Sequence, residues 1–167
     1  MWSKNKFEKR FLRFITGAAL LLLFFLLRKG PLKDWLLSYL FNAYTNGILD
    51  QYLASNHYIR YPVRYFKKEF KSNILFDYLL YPTMSLFINK ITYGNRPFVI
   101  VIKVCLVTTS MLLVELWAEK NTNLIRWGRG WDWKHTLFGL TAKSLLNRSI
   151  IAAIRAASSK PASLTKR

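Results

Sequence analysis

Residues 97–118 read PFVIVIKVCLVTTSMLLVELWA, twenty-two residues in which Lys103 and Glu115 are the only charges. As a helix this stretch is about 33 Å long, enough to cross a hydrocarbon core of about 30 Å. Pro97 suits the first turn, where its missing N–H leaves no bond unmade. No soluble domain of ordinary composition needs such a segment, so the chain is expected to be an integral membrane protein.

Working outward, the apolar run 14–27 has fourteen residues between Arg13 and Arg28. That is about 21 Å of helix, and it spans only if both arginines snorkel. The basic start of the chain, with Lys4, Lys6, Lys9 and Arg10, resembles a secretion signal. Arg28, Lys29 and Pro31 stand where a small-residue cleavage site would be, so an uncleaved signal anchor is the better reading. Two less apolar helices follow at 34–53 and 73–89, the second interrupted by Asp77 and Pro82. Their polar content directs them toward other helices or a wet cavity. A last helix at 132–156 carries Lys143, Asn147 and Arg148, and is read as spanning. The expected fold is all-α, a polytopic membrane helix bundle of four to five transmembrane helices, at about 11–28, 34–53, 73–89, 97–119 and 132–156. It forms a single domain over 1–157, followed by a disordered basic tail at 158–167.

The composition agrees. Lys plus Arg number 26 against 8 Asp plus Glu, a net charge of +18, in a chain of 167 residues that is 52% hydrophobic. Such a charge suggests nucleic acid, but the basic residues cluster between apolar runs, as in 1–13 and 60–71. That placement fits anionic lipid headgroups as partners and no nucleic acid. The single cysteine, Cys105, lies in an apolar run and can form neither an internal disulfide nor a Cys-rich zinc site. All six tryptophans, Trp2, Trp35, Trp117, Trp127, Trp131 and Trp133, fall at or beyond the ends of the expected helices, at the headgroup level that indole prefers. In a five-helix arrangement, fourteen basic residues lie on the side of the N-terminus and nine on the other. By the positive-inside rule the N-terminus is cytoplasmic. The expected location is the cell membrane, multi-pass.

Three groups of polar residues stand out. Asp34, Ser38, Asn42, Asn46 and Asp50 recur every four residues, each step overshooting a turn by about 40°, so the ladder winds slowly and lines a bundle groove. Antiparallel register puts Asp77 near the depth of Asp50. Two carboxylates at one depth repel, so one holds a proton, both share a cation, or the ladder is hydrogen-bonding glue, the favoured reading. In the second group, Glu115 and Glu119 share a face at i, i+4, and Asp132 and His135 share one at i, i+3. Hairpin geometry brings Glu115 level with His135. Glu115, Glu119 and His135 are candidates for acid–base work beside a lipid headgroup; with Asp132 they form a weak metal candidate set, since no HExxH or ExxH spacing is present. Third, Lys103, Lys143 and Arg148 are intramembrane cations that should find Asp77, Asp50 or a lipid phosphate. No G-x-S-x-G elbow, Walker loop or Gly-rich dinucleotide turn occurs, and no cofactor is expected.

Several segments together, 33–42 (KDWLLSYLFN), 45–50 (TNGILD), 60–64 (RYPVR), 74–83 (ILFDYLLYPT), 115–122 (ELWAEKNT) and 131–136 (WDWKHT), resemble a family of small, uncharacterised multi-span membrane proteins from endospore-forming Firmicutes such as bacilli and clostridia. The resemblance runs over most of 31–150. It implies a spore-forming bacterial host and a membrane location, extending to the spore membrane, and supplies no catalytic residues. The sequence therefore points to a structural or accessory membrane component rather than an enzyme. The alternative is a lipid-modifying enzyme or a small ion, proton or lipid carrier using the intramembrane carboxylates, which in so short a chain calls for a homo-oligomer or a membrane protein partner.

Overall fold

The computed structural model of the chain describes residues 4–28 and 30–158. The segment 159–167, most of the expected tail, lies outside the described residues, whereas Ser158 closes the last helix. Among the described residues, five helices form the bundle: α1 (Lys4–Leu27), α2 (Leu32–Ser55), α3 (Tyr81–Ile91) preceded by a π-helical turn at Phe76–Leu80, α4 (Pro97–Asn121) and α5 (Trp133–Ser158). The only strands among the described residues are β1 (Ile59–Arg60) and β2 (Arg126–Trp127), paired antiparallel. Three helical stretches, Lys6–Leu27, Pro97–Asn121 and Trp133–Ser158, are long and apolar enough to cross a membrane. Their outward faces are apolar, with Phe14, Phe98 and Phe138 more than 70% exposed. The protein is an all-α membrane helix bundle.

α1 begins seven residues before the expected start. The sequence reading took the basic N-terminus as a flank, but Glu8 there is buried at 3% exposure and accepts hydrogen bonds from Asn123 N–H (2.9 Å) and Asn123 Nδ2 (3.1 Å). That anchor, with Leu12 packed against Val63, Leu75 and Leu124, continues the helix down to the loop that joins α4 to α5. The start of α1, the α2–α3 loop and the α4–α5 loop therefore lie together at one end of the bundle, which is also the end with the most basic residues. At the other end, Asp34 pairs with Arg155 at 2.7 Å, and the Arg155 guanidinium lies over the rings of Tyr93 (4.4 Å) and Trp35 (5.7 Å). Each helix thus runs from one end of the bundle to the other, α2 and α5 included.

The break expected near Asp77 and Pro82 takes a definite form. Pro82 has no N–H to give to the carbonyls one turn back, and the preceding turn widens so that Tyr81 N–H bonds to Phe76 O. Two carbonyls left by the proline and the wide turn are taken up from α2: Tyr39 Oη donates to Tyr78 O at 2.6 Å, and Asn46 Nδ2 reaches Asp77 O at 3.5 Å. Side chains of a neighbouring helix commonly make good such breaks inside membranes.

Candidate functional site

The polar ladder divides by height. Asp34 closes the end of the bundle with Arg155. Ser38 accepts from Asn89 Nδ2 (2.9 Å) and Asn147 Nδ2 (3.2 Å), and Asn147 also reaches Ser85 Oγ. Asn46 Nδ2 donates to Asn42 Oδ1 at 2.7 Å. Thr108 and Thr141 add a hydroxyl pair between α4 and α5 at 2.9 Å. These rungs tie α2, α3, α4 and α5 together through neutral hydrogen bonds, the usual interhelical glue. Asn147 is fully buried in this network and packs the helices together.

The lowest rung behaves differently. Asp50 and Asp77 line one partly enclosed cavity of about 130 Å³, together with Tyr61, Tyr81, Glu115 and Lys143, and His135 stands on its rim. The Asp50 and Asp77 pair and two members of the second group, Glu115 and His135, thus line one site. Asp77 and Asp50 are level, and Glu115 and His135 face the same space. Glu115 is held firmly: Oε1 accepts from Trp127 Nε1 (3.0 Å) and Thr136 Oγ1 (3.2 Å), and Oε2 accepts from Tyr81 Oη (3.3 Å). One oxygen of Asp50 accepts from Tyr61 Oη at 2.7 Å. Burial, reinforced by the nearby Asp50 charge, pushes the Tyr61 phenol well above its ordinary pKa, so it stays a donor.

The other carboxylate oxygens of Asp50 and Asp77 and the Lys143 ammonium have no hydrogen bond of good geometry, although the Asn73 backbone and Ser72 lie near them. Nine shielded side-chain nitrogen and oxygen atoms lack a partner among the described residues, and four of them are here: Asp50 Oδ2, Asp77 Oδ1, Asp77 Oδ2 and Lys143 Nζ. Asp77 is 0% exposed, with Ser72, Asp50 and Lys143 as its polar and charged neighbours. Shielded polar groups are normally satisfied, so a concentration of unsatisfied ones on one cavity calls for an occupant. Three carboxylates against one ammonium leave a net deficit of positive charge, which protons or a cationic group would fill.

Other candidates lie elsewhere. Glu119 is half-buried and does not line the cavity. Asp132 caps α5, accepting from Lys134 N–H (2.9 Å) and His135 N–H (3.1 Å), with His135 Nδ1 at 2.7 Å. Those bonds, His135 N–H first, hold its carboxyl below the usual range. Glu115 turns inward while Asp132 and His135 pair at the surface, and among the described residues no three His, Cys, Asp or Glu side chains gather as a metal site. Of the three cations, only Lys143 faces carboxylates, sharing the cavity with Asp50 and Asp77 without forming an ion pair with either. Lys103 Nζ donates to Ile91 O (2.8 Å) and Asn95 Oδ1 (3.3 Å), and Arg148 Nε donates to Thr92 Oγ1 (3.0 Å). Both sit at the C-terminus of α3, whose carbonyls and dipole replace the expected carboxylate or phosphate. Lys90, which the sequence reading left in a loop, does the same for α1 through Leu26 O at 2.6 Å.

Sequence reasoning missed Glu8, Tyr39, Tyr61 and Tyr81. The one available signal was for Tyr39: Pro82 frees a carbonyl, and some neighbouring helix has to supply a donor for it.

Fold and site together define a membrane helix bundle with a buried acidic cavity near its basic end. Compared with known proteins, the chain matches no family model, no curated protein and no solved structure.

Proposed function

We propose that this protein is a membrane-embedded binding protein whose acidic cavity holds a cationic group, or the protons that substitute for one. The observation that carries this reading is the set of four shielded, unpartnered atoms of Asp50, Asp77 and Lys143 on one cavity. A purely structural or accessory role accounts for Asp34, Ser38, Asn42 and Asn46, which are all partnered, and leaves the cavity without a purpose. The small-carrier alternative fits it, with Asp50 and Asp77 as ligand-binding carboxylates, Lys143 as the internal counter-charge that holds the site when empty, and Glu115 as a fixed wall. The charge bias toward the end with the α1 start favours a cytoplasmic N-terminus. With the family resemblance, it supports a multi-pass protein of the cell or spore membrane of an endospore-forming bacterium.

The test is isothermal titration of methylammonium chloride into the full chain in lipid nanodiscs. Saturable binding of one cation per chain is expected, lost in Asp77→Asn and kept in Asp34→Asn, whose carboxylate serves the far end of the bundle. Absence of saturable binding to the unaltered protein would return the chain to the structural reading.

A further inference from the structure

A second space lies against the first. An apolar pocket of about 250 Å³ is lined by Phe11 and Ile15 of α1, Met84 of α3, and Met111 and Val114 of α4, and it shares two residues with the acidic cavity, Tyr81 and Glu115. α1 rests mainly on α3 and the π-helical turn. Its meeting with α4 is closed at the basic end by the rings of Phe11 and Trp117, 5.4 Å apart. Further along, the seam between α1 and α4 opens outward, and Val114 on its edge is 57% exposed. In a bundle seated in a bilayer, that opening faces hydrocarbon.

We infer that the ligand of the acidic cavity is a lipid whose headgroup ends in a primary ammonium, entering between α1 and α4 with a chain in the apolar pocket. This rests on the cation-binding reading above and names its substrate class. Two features carry it. The cavity sets three carboxylates against the single ammonium of Lys143, and Asp77, 0% exposed with neither oxygen in a hydrogen bond of good geometry, lines it. Apart from the shared Tyr81 and Glu115, the one polar side chain on the apolar pocket is Ser110, whose hydroxyl already donates to Leu106 O, and the pocket borders the acidic cavity along the Tyr81 and Glu115 pair. An amphiphile is the class of membrane molecule whose two halves suit two such adjoining compartments, one acidic and one apolar. Its chain lies along Met111 and Val114, its polar end meets Tyr81 Oη, and its ammonium has three N–H donors to give to Asp50 Oδ2 and the two Asp77 oxygens. A quaternary ammonium has no N–H and leaves those oxygens unpaired, which gives the site a means of selection.

The full chain is reconstituted in nanodiscs of phosphatidylcholine containing a tenth of either phosphatidylethanolamine or phosphatidylglycerol, and the retained lipid is read by native mass spectrometry. One phosphatidylethanolamine per chain is expected, in preference to the other two. Asp77→Asn should weaken retention on the order of 30-fold or more, the lower end of what removing one partner of a buried charge pair does. Met111→Trp and Val114→Trp, which fill the apolar pocket from two positions, should abolish retention and leave methylammonium binding intact. Methylammonium binding without selective lipid retention, or retention untouched by both tryptophans, would overturn the lipid assignment and leave the cation site standing. Loss of both bindings in the unaltered protein would remove both.

Discussion

Asp77→Asn separates a working group from a structural one, because the two predict opposite changes in stability. The carboxylate is 0% exposed and neither oxygen accepts a hydrogen bond of good geometry, Ser72 and Asp50 being its near polar neighbours, so the folded protein loses only weak contacts when it is replaced. The amide is nearly isosteric, and its N–H can donate to Asp50 Oδ2, which has no donor. One hydrogen bond to a charged acceptor contributes about 1.5 to 3 kcal/mol. Removing one of two adjacent negative charges acts in the same direction, and weakening the attraction to Lys143 offsets part of it. The expected net is a stabilisation of about 1 to 2 kcal/mol, or a rise of about 2 to 8 °C in Tm for a chain of this size. Far-UV circular dichroism during heating in a mild detergent measures it, with Asp34→Asn as the control that should lower Tm. A protein that becomes more stable while losing its ligand is what a group retained for function produces. A drop in Tm of about 4 °C or more in Asp77→Asn would mean that the carboxylate holds the bundle together, and the cavity reading would fail with it.

Three further outcomes follow from the same geometry. Glu8→Ala should cost about 1.5 to 3 kcal/mol, because Asn123 loses a charged acceptor for two N–H groups; equal Tm for variant and parent would show that the latch does not hold α1. Gly128→Ala brings a Cβ to 2.9 Å from His57 O, a backbone atom with little room to retreat, and should cost about 1 to 3 kcal/mol as an overpacking change, seen as faster proteolysis in the loops around β1 and β2. With Cys105 replaced by alanine, single cysteines at Lys67 and Arg126 should react with an impermeant maleimide from one side of the membrane and a cysteine at Asn95 from the other. Labelling of Asn95→Cys and Lys67→Cys from the same side would break the five-crossing arrangement.

Much of this was legible in the sequence, for identifiable reasons. The span around 97–118 is fixed by length and apolarity alone, and the four-residue recurrence of Asp34, Ser38, Asn42, Asn46 and Asp50 is a property of helix geometry. The levels of Asp77 and Glu115 follow from counting along antiparallel neighbours. What could not be read was which helices touch. Merging the Asp50 and Asp77 pair with Glu115 and His135 into one cavity requires α2, α4 and α5 to converge on the π-helical turn, and no local pattern encodes that. Glu8 was hidden by its setting, since a lone acid among five basic residues reads as a solvated surface until the Asn123 backbone is known to lie over it. Lys103 and Arg148 are expected to find a carboxylate or a lipid phosphate because charge pairing is the first rule for buried cations; a helix C-terminus offers the same sign of charge without any acidic residue to notice.

The π-helical turn at Phe76–Leu80 also works as a rotational index. A helix advances about 100° per residue, so the residue accommodated in that wide turn fixes the bearing of Asp77 relative to Pro82 and everything after it. Removing any one residue between 78 and 80 would restore an ordinary winding and swing Asp77 about a quarter of a circle or more relative to Pro82 and the rest of α3, whatever the identity of the residue lost. The stretch is therefore constrained in length more tightly than in composition. A lineage of such chains could exchange Phe76 or Leu79 for other apolar residues freely, yet tolerate no gap there.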